Sequence, residues 1–112
     1  MKRRSIILAA GIAVAALALP RIAFAEEHLD QAIAHTKEAI QHGEAGHAKV
    51  LVTHAKEALK HAEASEKVKD NPHTKEGITH LKAAIGEGKK NHAKAATGHA
   101  KEALTHLEAA GQ

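Results

Sequence analysis

The stretch HLDQAIAHTKEAIQHGEAGH, residues 28–47, carries a histidine every seven residues, at His28, His35 and His42, then a glycine-bounded break before His47. Seven residues make two turns of α-helix, so these imidazoles fall along one stripe. With histidine at heptad position g, positions a, d and e hold Leu29, Ala32, Ile33, Thr36, Ala39 and Ile40. A stripe this wide suits the core of a bundle rather than a narrow two-helix seam. Lys37 and Glu38, at b and c, read as the solvated face.

The register continues past the break. Ala48, Leu51, Val52, Ala55, Ala58 and Leu59 occupy a, d and e, His54 and His61 keep g, and Lys56 and Glu57 keep b and c. The whole unit then recurs: His28–Ser65 aligns with His73–Ala110 at an offset of 45, with 19 of 38 positions identical and no gap. Leu81, Ala84, Ile85, Ala100, Ala103, Leu104 and Leu107 continue the apolar stripe, Lys101 and Glu102 the solvated one, and Gly77 and Thr97 weaken the register without changing its phase. Asp70-Asn71-Pro72 signals a turn between the copies. Gly43-Glu44-Ala45-Gly46 divides the first copy and Gly86 to Asn91 the second, since glycine and asparagine commonly end helices. The spacing predicts helices near 27–43, 47–66, 73–87 and 91–110. The expected fold is all-α, an antiparallel four-helix bundle built from two duplicated helical hairpins: repeat one 28–65, linker 66–72, repeat two 73–110.

Residues 1–25 read as a secretory signal peptide, with Lys2, Arg3 and Arg4, an apolar run from Ile6 to Leu19, and a small-x-small site at Ala23-Phe24-Ala25. Fourteen apolar residues are short for a membrane span. The expected location is therefore periplasmic, with no membrane association after cleavage; Arg3-Arg4 fits twin-arginine export, but the general secretory route is favoured. Removing the signal takes four of the 16 basic residues and none of the 13 acids, so residues 26–112 carry 12 against 13, a net −1. This removes the electrostatic basis for nucleic-acid binding. Residues 26–112 hold no aromatic residue beyond histidine and no sulfur, so base-stacking platforms and thiol chemistry are excluded. Only 13 of these 87 residues are Ile, Leu or Val, and alanine supplies most of the remaining apolar content. Alanine favours helix but buries little area, so the expected domain is helical and modestly stable.

All eleven histidines lie at g: His28, His35, His42; His47, His54, His61; His73, His80; His92, His99, His106, with Glu87 at the twelfth place. A lone histidine is usually a boundary residue; eleven in one register point to metal coordination. Seven residues span about 10.5 Å of helix, whereas a metal–nitrogen bond is about 2 Å, so chelation must cross the hairpin. Antiparallel residues at one height have a constant index sum. His42/His47, His35/His54 and His28/His61 sum to 89; His80/His99, His73/His106 and Glu87/His92 sum to 179. Six two-residue rungs result, with alanine at d letting the backbones approach. Glu44, Glu87, Glu27, Glu63 and Glu108, near the hairpin ends, could add oxygen ligands, although each alone reads as surface charge. Imidazole pairs with water or carboxylate suit Cu(II), Ni(II) and Zn(II), and two-ligand sites exchange readily.

The strings His35-Thr-Lys-Glu-Ala-Ile-Gln-His42-Gly-Glu-Ala-Gly-His47, His54-Ala-Lys-Glu-Ala-Leu-Lys-His61-Ala and His80-Leu-Lys-Ala-Ala-Ile resemble the small metal-binding protein family, periplasmic histidine-rich heptad proteins of bacteria. The resemblance spans the chain after the signal. It implies a four-helix bundle that binds several divalent ions, copper foremost, in copper handling or detoxification. Glu87 departs from the family pattern, which expects histidine there, and leaves Glu87/His92 an uncertain copper rung. The function expected is binding, buffering or sequestration of divalent metal by a monomer whose partners are metal ions. An enzyme is not expected, because nothing supplies a substrate cavity. The competing reading, a structural or stress-related interaction bundle, requires an exposed apolar patch.

Overall fold

The computed structural model describes the backbone of residues 2–112 and the side chains of residues 21–112. Four helices follow one another: α1 (Lys2–Glu44), α2 (Ala48–Val68), α3 (Pro72–Lys89) and α4 (Ala93–Ala110). Each packs against its chain neighbours, and α4 returns beside α1, closing the antiparallel four-helix bundle expected from the sequence. Helix α1 shows no start at residue 27. It runs straight through Ala23–Glu27, where alanine and glutamate favour helix and no capping residue intervenes. The basic start and the apolar run Ile6–Leu19 lie outside the residues with described side chains. Among the described residues no helix is long and apolar enough to cross a membrane.

The core follows the heptad stripe. Leu29, Ala32, Ala39, Leu51, Ala55, Ala58, Leu81, Ala84, Ile85, Ala100, Ala103 and Leu107 are buried, with Ile33, Ile40, Val52 and Leu59 packed at its edge. Buried Thr36 and Thr97 satisfy their hydroxyls by donating to the Ala32 and Ala93 carbonyls, each at 2.7 Å. Gly77, which the heptad pattern reads as a weakness, makes room for a large neighbour: a Cβ there would stand 2.7 Å from Leu107 Cδ2. The equivalent pair in repeat one is Ala32 and Ala62, so each copy fills the same space by a different division of volume.

The second intra-repeat break comes later than the glycines suggested. Gly86 and Gly88 lie inside α3, which ends at Lys89. Gly88 serves close approach, since a Cβ would collide with Val52 on α2; Gly43 meets Thr97 on α4 in the equivalent way. The break falls at Asn91 (φ 63°), matching Gly46 (φ 83°) in the first copy. Both turns make the same bond pair. Gly46 and His47 donate to the Gly43 and His42 carbonyls at 3.0 and 2.8 Å; Asn91 and His92 donate to those of Gly88 and Glu87 at 2.9 and 3.0 Å. This is the Schellman arrangement, which requires a left-handed residue just past the helix end.

The connection between repeats is tighter than the expected 66–72. Helix α2 continues to Val68, and the Asn71 side chain caps α3 by accepting from the His73 N–H at 2.8 Å. The Glu66 carboxylate accepts from the Asn71 N–H at 3.1 Å, and Lys75 Nζ lies 2.6 Å from Asp70. Asn71 Nδ2 donates to the Ala110 carbonyl at 3.4 Å, tying the corner to the end of α4.

Candidate metal centre

Fully buried alanines at d (Ala32, Ala39, Ala58, Ala84, Ala103) flank the histidine stripes, and all six rungs form. In the first hairpin the ring centroids are 5.1 Å apart for His28/His61, 5.9 Å for His35/His54 and 6.2 Å for His42/His47. In the second they are 5.7 Å for His73/His106 and 5.9 Å for His80/His99. Glu87 Oε1 stands 3.5 Å from His92 Nδ1. Two ligand atoms held about 2 Å from one ion lie roughly 2.8–4 Å apart. The Nδ1 atoms of His28 and His61, at 2.9 Å, and of His73 and His106, at 3.4 Å, meet that condition.

The stripes do more than face each other. His61 also stacks on His35 at 5.8 Å, His54 on His42 at 5.3 Å and His106 on His80 at 5.6 Å, all within 7° of parallel. The imidazoles of the first hairpin therefore form a continuous zigzag, His28–His61–His35–His54–His42–His47. The middle rungs of both hairpins are half-buried: the side chains of His35, His54 and His80 are 25%, 22% and 21% exposed. His47, His73 and His92 lie exposed at the ends.

The carboxylates that approach the ladder differ from those expected. Glu44 pairs with Lys101 at 3.0 Å, Glu108 with Lys37 at 4.0 Å, and Glu27 and Glu63 point to solvent. Of the five named acids, only Glu87 stands on the ladder. The others at the ladder are c-position residues assigned to the solvated face. Glu38 lies 3.6 Å from His54 Nδ1 and 4.0 Å from His35 Nδ1, and Glu102 3.3 Å from His80 Nε2. Position c is three residues past g, so it shares the histidine face of its helix. Three groups bring ligand atoms within 4.8 Å of one another: His35, Glu38 and His54; His35, Glu57 and His61; Glu76, His80 and His106.

Nδ1 of His35, His54 and His99 and Oε2 of Glu87 are buried without a hydrogen-bond partner. Such atoms are costly unless something binds them. Burial, with His28 and His35 close by, holds the His61 imidazole below its ordinary value, favouring the neutral form that can ligate. The ladder is thus a row of nitrogen pairs with carboxylate oxygens alongside, a donor set for borderline divalent cations.

A family model described as small metal-binding protein matches residues 1–110. No curated protein matches the chain.

Proposed function

Because the chain belongs to the small metal-binding protein family, we propose that it takes up divalent transition-metal ions, copper(II) foremost and nickel(II) or zinc(II) besides, and holds them exchangeably in the periplasm. The observation that carries this reading is the pairing of imidazoles across each hairpin, with partnerless nitrogens at the middle rungs. Nitrogen with some carboxylate suits Cu(II), Ni(II) and Zn(II), and residues 26–112 contain no thiolate or thioether to select Cu(I). Open sites of two or three ligands release ions readily, which fits buffering better than a permanent structural site. A partner-binding bundle would need an apolar patch; among the described residues the large apolar side chains left exposed are Ile22 and Phe24, in the stretch read as a signal peptide, and Val50.

The test is Cu(II) titration by calorimetry, with the bound ions counted by mass spectrometry. Several ions per chain, removable by a chelator, are expected; no bound ion sinks the reading. Cell fractionation, with the amino terminus sequenced for a start at Glu26, tests export.

A further inference from the structure

Two of the three-ligand groups share a residue. His35 stands with Glu38 and His54 in one and with Glu57 and His61 in the other. Its ring lies 5.9 Å from that of His54 and 5.8 Å from that of His61, so it sits about midway between two imidazoles of α2. The acids come from opposite helices, Glu38 from α1 and Glu57 from α2. The second hairpin has one such group at the equivalent residue, and Ala83 stands where the first hairpin has Glu38. His80 lies 5.9 Å from His99 and 5.6 Å from His106, joins Glu76 and His106 in a three-ligand group, and has Glu102 at 3.3 Å.

A neutral imidazole has one unprotonated nitrogen and makes one metal bond. Two dications on His35 would require it to lose its second proton, and they would repel strongly across so short a distance. The two groups cannot both be complete at once with a neutral His35.

We propose that His35 is a pivot: it belongs to two overlapping seats for a single divalent ion, which alternates between them without leaving the pivot. In the first hairpin the ion exchanges Glu38 and His54 for Glu57 and His61. Each move is a ligand substitution, with no change of oxidation state. The ion moves by no more than about 4 Å, twice the metal–nitrogen bond that keeps it on His35. This rests on the metal-binding reading and adds that Glu38 and Glu57, at c, are ligands and that the two seats on His35 fill one at a time.

The experiment uses the full chain carrying His80→Ala, which removes the three-ligand group of the second hairpin, and titrates Cu(II) by calorimetry and electron paramagnetic resonance. Adding His54→Ala or His61→Ala leaves one seat intact and lowers the affinity of the tightest ion about twofold, whereas adding His35→Ala removes both seats and lowers it by about tenfold to a hundredfold. Glu38→Gln and Glu57→Gln each cost about twofold, but together about tenfold or more, beyond the product of the single effects. The His80→Ala chain shows two overlapping copper signals at one equivalent, and either glutamine variant reduces them to one. Circular dichroism of the metal-free variants establishes that each is folded; the glutamine pair, on half-exposed side chains, carries the test if His35→Ala perturbs the helix. The proposal is overturned if His35→Ala costs no more than His54→Ala, if the glutamine effects multiply, or if one ion on Glu38 and His54 and another on Glu57 and His61 bind together with equal tight affinity. Any of these in a chain that still loads copper leaves the metal-binding reading standing; a chain that loads none overturns both.

Discussion

An ion held across a hairpin should stabilise the fold by an amount that depends on where along the hairpin it sits. His28 and His61 are 33 residues apart, whereas His42 and His47 are five apart. In the unfolded chain, bringing two ligands together costs (3/2)RT ln n, so the outer pair is harder to assemble than the turn pair by about 1.7 kcal/mol. The folded state holds either pair ready. At a hundredfold excess over Kd, an ion at the outer rung contributes about 2.7 kcal/mol if the unfolded chain does not bind it. At the turn rung the unfolded chain competes, and roughly 1 kcal/mol remains. For a domain this small each kcal/mol moves Tm by about 4–8 °C, giving shifts near 10–20 °C and 4–8 °C. The ladder supplies clean perturbations, because His28 and His47 are its two ends and each pairs with one imidazole. Thermal unfolding by circular dichroism, with excess Cu(II) or with a chelator, should show that His28→Ala removes clearly more of the metal-induced shift than His47→Ala. Equal losses would mean that ions bind single histidines and that the cross-hairpin rungs do not chelate.

Three further outcomes concern the metal-free bundle, read in the presence of a chelator. Leu107 is fully buried against Gly77; Leu107→Ala should cost about 2.7–5 kcal/mol, while Gly77→Ala overpacks by about 1–3 kcal/mol against a helix gain near 1 kcal/mol. The double variant recreates the Ala32/Ala62 pairing of repeat one and should be more stable than the sum of the singles, as measured by urea unfolding and a double-mutant cycle. Asn91 holds φ 63°, so Asn91→Ala should cost about 1–2 kcal/mol while Asn91→Gly should not, which melting curves will separate. The His61 imidazole is held below its ordinary 6.5, so the unfolded chain takes that proton first. Its contribution is present above pH 6.5 and is lost as pH falls from there toward the folded value; a Tm that rose on acidification from pH 7 to 5 would contradict this.

The rungs were legible in the sequence because only indices are needed: a turn of fixed length and an antiparallel pair make constant sums, and the sums 89 and 179 found every pair. The diagonals were not, because index sums place backbones and not rings. Each side chain leans toward its own helix amino terminus, so the two antiparallel stripes slide past each other and His61 comes to lie as close to His35 as His54 does. The acids were missed for a related reason. The heptad pattern reads b and c together as the outer face, yet c is a surface neighbour of g, and Glu38, Glu57, Glu76 and Glu102 all stand at c. That signal was available. The roles of Gly77 and Gly88 were not, since both depend on which residue of another helix arrives opposite.

The turns and the ladders are one construction. The backbone bond that closes each Schellman turn joins the two residues of the innermost rung, His47 N–H to the His42 carbonyl and His92 N–H to the Glu87 carbonyl. The residue that closes the turn is therefore also the residue that starts the side-chain pairing, and every later rung follows by steps of seven from that bond. This accounts for the tolerance at position 87. A glutamate there keeps the turn, because the bond uses its main chain, and changes only the innermost donor from nitrogen to oxygen. It also explains why the duplicated copies could diverge in core volume at 32/77 and 62/107 while ten of the twelve ladder positions kept histidine in both copies. Core neighbours can trade volume between helices, but a histidine moved off g loses its partner across the hairpin.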